Sequence, residues 1–140
     1  GRIVQETKGC ANRLRAIMRR SFAFCAADPR VPRLMFQTHF GPVIPGITEF
    51  MAEVANLRFL VIHQVIQEGL DADELAGGDP ASISLVFCCV MDQHINVLAR
   101  LPKQETRLTP ELADALVNVF LYGVGSGKRV RATLPPFAVP

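Results

Sequence analysis

The sequence predicts an all-α domain, a bundle of about five or six helices. Three observations predict it. Apolar residues recur at helical spacing along most of the chain. Three times a capping side chain stands directly before a proline, at Asp28-Pro29, Asp79-Pro80 and Thr109-Pro110, which is the signature of a helix start. No run alternates apolar and polar residues between hairpin turns, so no strand is expected. The 140 residues suffice for one domain with a single core.

The elements follow in order. Residues 1–8 are polar and short, and read as the tail of a helix begun upstream. Asn12 to Ala26 carries Leu14, Ile17, Met18, Phe22 and Cys25 at helical spacing, with Arg13, Arg15, Arg19 and Arg20 on the other side. Four arginines could touch phosphate, or simply form a solvated face whose long stems cover apolar surface. Asp28-Pro29 ends this helix and starts a short one reaching about His39, with Val31, Leu34 and Met35 inward and Phe36 beside them. Gly41, Pro42, Pro45 and Gly46 then break the chain. Ile47 to Glu68 is the longest periodic stretch, with Ile47, Phe50, Met51, Val54, Val61, Ile62 and Val65 on one stripe. Arg58 lies near the middle of that stripe and needs a partner, a surface edge or a ligand. Gly69 reads as the C-terminal stop, and an acidic connection follows to Gly78.

Residues 79–100 form the next helix. Ile83, Val86, Phe87, Val90, Met91, His94, Val97 and Leu98 make one stripe at 100° per residue. The opposite face, with Leu85, Cys88, Cys89, Asp92 and Asn96, lacks the Lys and Glu of a surface helix. Such a helix needs cover on both sides, and a partner subunit is the natural second cover. Pro102 breaks the chain, residues 101–108 read as a loop, and Thr109-Pro110-Glu111 starts the last helix. That helix bears Leu112, Ala115, Leu116, Val119 and Phe120 on one face and Val117, Leu121 and Val124 on a second strip. Residues 126–140, with three prolines and three basic residues, read as a flexible tail. The domain itself is expected to span residues 1–125.

Composition narrows the function classes. A net charge of +2 is too small to argue for nucleic acid or an acidic membrane. No apolar run approaches the roughly 20 residues of a membrane span, and the first residues contain no signal-peptide core, so a cytoplasmic protein is expected. The chain begins without an initiator methionine, which points to a start inside a longer protein or after cleavage. The four cysteines, at 10, 25, 88 and 89, form no CxxC pair and suit neither a zinc site nor a disulfide framework. Neither a metal nor a cofactor is expected. GVGSGK at 123–128 lacks the spacing and the preceding strand of a phosphate loop. No base is identified for a cysteine nucleophile, so the chain is not read as an enzyme.

The order of elements carries a resemblance. The segments FAFCAADPRVPRLMF at 22–36, VIQEGLDADELAGGDPASISLVF at 65–87 and LADALVNVFLYGV at 112–124 together resemble the C-terminal regulatory domain of the tetracycline-repressor (TetR) family of bacterial transcription regulators. The similarity covers most of residues 10–125. The resemblance implies that the last two long helices pair with their copies in a second subunit as a four-helix bundle. It also implies that the other helices enclose a largely apolar chamber for a small effector, whose occupancy alters the spacing of the DNA-binding heads. A helix-turn-helix head is absent from this chain, so DNA would be bound only through a head missing here.

The candidate ligand-binding residues are Met18, Phe22, Phe36, Phe40, Met51, Phe59, Ile62, Phe87, Met91 and His94. Nine Phe and four Met with no Trp make a soft lining suited to an apolar or aromatic effector, and would equally make a plain core. His94 is either a core histidine bonded to a carbonyl or a polar contact to a ligand. The candidate homodimer interface comprises Leu85, Cys88, Asp92, Leu116, Val117, Phe120, Leu121 and Val124. The competing expectation is a helical homodimeric protein–protein interaction module with no small ligand.

Overall fold

Five helices account for the secondary structure in a computed structural model, which describes residues 9–98, 101 and 107–124, omitting the side chains of 123 and 124. They are α1 (Cys10–Ala27), α2 (Arg30–Phe40), α3 (Ile47–Asp71), α4 (Pro80–Leu98) and α5 (Pro110–Val124). Among the described residues there is no strand. The expected upstream helix tail at 1–8, most of the 101–108 loop, the tail at 126–140 and the side chain of Val124 lie outside the described residues.

Each expected start is made by local chemistry. Asp28 accepts from the Arg30 amide at 3.0 Å. Asp79 accepts from the Ser82 amide at 3.0 Å and its hydroxyl at 2.7 Å. Thr109 Oγ1 accepts from the Leu112 amide at 3.2 Å. Each bond satisfies a donor that a helix leaves free in its first turn.

The core gathers where α1 is enclosed by the other long helices. Leu14, Met18 and Phe22 of α1 are buried among Ile62, Val65 and Ile66 of α3, Phe87, Met91 and Ile95 of α4, and Ala113, Val117 and Phe120 of α5. The α1–α5 pair is the most extensive packing, followed by α3–α4. Polar ties reinforce the first: Arg15 donates to Asn118 Oδ1 at 2.9 Å, and Arg19 pairs with Asp114. Arg13 pairs with Glu68 of α3. Three of the four α1 arginines thus bind within the fold, while Arg20 is exposed.

Gly69 differs from its expected role. It is not the stop of α3, which runs on to Asp71, and the left-handed residue beyond the helix is Asp73, with φ 56°. Gly69 lies instead where α1 meets α3. A Cβ there would stand 2.6 Å from Cys10 Sγ and 2.9 Å from Cys10 Cβ. The connection after it is also docked. Leu75 is buried, and Glu74 accepts from the Cys10 amide at 2.7 Å, capping α1 from a distant part of the chain. Gly69→Ala is therefore expected to lower the unfolding free energy by about 1–3 kcal/mol through overpacking. Urea denaturation measures it, and a neutral substitution would show that α1 can move away freely.

Acid sensitivity follows from the exposed carboxylates. Hydrogen bonds from Arg30 hold Asp28 down to about 2, a hydrogen bond from Arg13 lowers Glu68, and hydrogen bonds from Ser82 lower Asp79. With folded values below the ordinary 3.8 for Asp and 4.5 for Glu, the unfolded chain takes up these protons first. Their contribution is complete above the ordinary values and is lost as pH falls through the folded ones. The melting temperature is expected to decline steadily on acidification below about 4.5. A rise over that interval would contradict the assignment.

Candidate functional site

Two adjoining clefts lie between α2 and the longer helices. The first has a volume of about 390 Å³ and is walled by the end of α1 (Phe24, Cys25), by α2 (Val31, Leu34, Met35), by the first half of α3 (Phe50, Met51, Val54) and by Ile95 of α4. Its lining is almost wholly apolar; Ser21, His39 and Arg58 supply the polar groups. The second, about 510 Å³, lies between α3 and α4 under the end of α2. Phe40, Phe59 and Leu85 line it together with Cys88, Cys89, Asp92, Gln93 and Asn96. The two share His39, Ala55 and Arg58.

These clefts exist because α2 covers α3 thinly. Pro32 is the one buried residue of α2, and Val31, Met35 and Phe36 are half-buried. The first half of α3 reaches past the core. Of its expected inward stripe, Ile62 and Val65 are buried, Met51 is half-buried, and Ile47, Phe50, Val54 and Val61 are exposed. A helix wall with few buried side chains opens more easily than the core does.

Arg58 has a partner, Asp92 of α4. The guanidinium meets the carboxylate end-on, Nη1 to Oδ1 at 2.8 Å and Nη2 to Oδ2 at 2.7 Å. Both side chains are largely buried, 27% and 17% exposed. Arg58 Nε has no hydrogen-bond partner among the described residues, and neither has the amide oxygen of Asn96, one turn beyond Asp92. Burial pushes the thiols of Cys25 and Cys88 up to about 11, with Asp92 raising and Arg58 lowering both. Cys10 is likewise raised to about 11 by burial. These thiols are protonated at neutral pH and poor nucleophiles. Among the described residues no group of three His, Cys, Asp or Glu side chains could hold a metal ion.

The ten candidate ligand residues divide into three groups. Met18, Phe22, Ile62, Phe87 and Met91 are fully buried in the core. Met51 lines the first cleft, and Phe40 and Phe59 line the second. Phe36 packs on Phe40 with ring centroids 4.9 Å apart, and the Nδ1 of His94 bonds the Val90 carbonyl at 2.6 Å; neither residue lines either of these two clefts. Cys25, Met35, Phe50, Val54 and Ile95 were missed. Their signal was weak, since each looks like an ordinary member of an apolar stripe. The stronger signal was a pair of opposite charges: Arg58, the one Arg or Lys of α3 and in the middle of its apolar stripe, and Asp92, the one carboxylate of α4.

The candidate interface residues also divide. Cys88, Leu116, Val117 and Phe120 are buried within the subunit, Cys88 on the wall of the second cleft and the other three on the side of α5 that joins the core. Asp92 is taken by Arg58. Leu85 is exposed and Leu121 half-buried. The apolar surface that α4 and α5 do present consists of Leu85, Val86, Cys89, Val97, Val119 and Tyr122. On α4 the buried arc runs through Ile83, Ser84, Phe87, Cys88, Met91, Ile95 and Leu98, so Val86 and Val97 of the expected core stripe face outward. Of the described helices, α4 alone is long and apolar enough to cross a membrane, and 44% of that span is buried inside the fold.

The described residues form an all-helical fold with two open clefts beside a thinly covering helix. No family model, curated protein or solved structure matches the chain.

Proposed function

We propose that the chain is the effector-sensing, dimerising domain of a TetR-type bacterial transcriptional repressor. It takes a small, largely apolar ligand in the first cleft, and occupancy modulates DNA binding by a head outside this chain. The observation that carries this reading is the apolar cleft between α1, α2 and α3, with Arg58, paired to Asp92 of α4, on its wall. An apolar cavity of a few hundred Å³ with few polar groups is the usual form of a small-molecule site. The helix order and the two-sided apolar character of α4 support the family assignment. The domain works in the cytoplasm as a homodimer, without catalysis, cofactor or membrane, and meets its copy through the outward faces of α4 and α5.

A thermal-shift screen with apolar and aromatic compounds tests the ligand half, because a compound that binds only the folded state raises its stability. Light scattering tests the dimer. Leu85→Asp, at an exposed position, is expected to yield a folded monomer, whereas alkylation of the exposed Cys89 in the unaltered chain slows as protein concentration rises. A unaltered chain that remains monomeric at micromolar concentration would defeat the dimer. The exposed apolar residues of α3, Phe50, Val54, Leu57 and Val61, favour a second reading, a protein–protein module without a small ligand. No thermal shift across a broad library would decide for it.

A further inference from the structure

The polar end of the clefts defines a head group. Arg58 and Asp92 form a pair that is neutral as a whole, with both guanidinium Nη atoms facing the carboxylate. Two buried polar atoms here have no hydrogen-bond partner among the described residues: Arg58 Nε, a donor within the pair, and Asn96 Oδ1, an acceptor one helical turn on from Asp92. Asn96 is only 7% exposed, and both residues line the second cleft. A buried polar group without a partner destabilises the fold and is a ready contact for a ligand. Arg58 also lines the apolar first cleft, so a molecule held here can extend its apolar part between Met35 and Met51.

We propose that the ligand is an amphiphile with a neutral head group that both donates and accepts, of the primary-amide type. It donates to Asn96 and accepts from Arg58. The inference rests on the ligand-binding reading above and names the chemistry of that site. An anionic head group is disfavoured because Asp92 already neutralises Arg58. A second carboxylate would lie beside Asp92 in a partly buried place with no free positive charge to offset its desolvation.

Calorimetric titration of the full chain at neutral pH with para-butylbenzamide and para-butylbenzoate tests it, since the two probes have nearly the same shape and differ in charge. The amide is expected to bind about tenfold or more tightly than the carboxylate. Asn96→Leu removes the acceptor and should abolish most of that preference. Asp92→Asn frees the Arg58 charge and should shift the preference toward the carboxylate. If Asp92→Asn fails to fold, Asn96→Leu decides. Equal binding of the two probes, a carboxylate preference in the unaltered chain, or an undiminished amide preference in Asn96→Leu overturns the proposal. If neither probe binds while other apolar compounds raise the melting temperature, the head-group assignment falls and the ligand domain stands. If no compound raises it, both fall.

Discussion

Phe87→Ala lowers the unfolding free energy by about 3–5 kcal/mol, the range for emptying a fully buried aromatic site. Phe87 is fully buried and lies edge-on to Phe120, with ring centroids 5.1 Å apart and planes at 74°. Such a pair adds about 0.5–1.5 kcal/mol beyond the area it buries. The site cannot collapse cheaply, because its walls are separate helices, α4 and α5, each held by its own contacts to the rest of the core. Urea denaturation measures the loss as a lower midpoint at unchanged slope. Phe24→Ala is the control. Phe24 is 64% exposed and lines the first cleft, so its loss should leave stability within about 0.5 kcal/mol and reduce ligand binding instead. A loss under about 1 kcal/mol at Phe87 would mean that α4 and α5 are not packed against each other there.

Arg58→Met is the second large effect. It leaves the Asp92 carboxylate largely buried with its guanidinium removed. Breaking a fully buried pair costs about 3–5 kcal/mol. This pair retains some solvent, so about 1–3 kcal/mol is expected. The diagnostic comparison is the double variant Arg58→Met with Asp92→Leu. Once both charges are gone no carboxylate is stranded, so the double variant should be more stable than Arg58→Met alone. Strict additivity of the two losses would show that the side chains do not interact in solution. The same substitution should also disturb the clefts, since Arg58 belongs to both.

Helix starts were legible because capping is local. Asp28, Asp79 and Thr109 bond amides two or three residues ahead, so the chemistry lies within a few letters of sequence. The site was less legible. Phe87 and Met91 belong to an apolar stripe, and so do Met35 and Met51, yet the first two lie in the core and the last two line a cleft. Residue type and spacing are the same in both pairs. What differs is how thinly α2 covers the first half of α3, and no periodicity reports that.

By itself the sequence determined the all-helical class, the positions of the three capped starts and the need of Arg58 for a partner. These depend on side chains near one another along the chain, or on one charge in an apolar surrounding. Only the tertiary structure decided that the partner is Asp92, 34 positions away. It decided that Gly69 is a contact point for Cys10 rather than a helix stop, and that Leu116, Val117 and Phe120 face inward on α5. The buried side of α5, with Ala113, Leu116, Val117 and Phe120, draws on both expected strips and leaves Val119 outside. Which arc of a helix is buried depends on the helix beside it, and on α5 that helix is α1, tied by Arg15 to Asn118 and by Arg19 to Asp114.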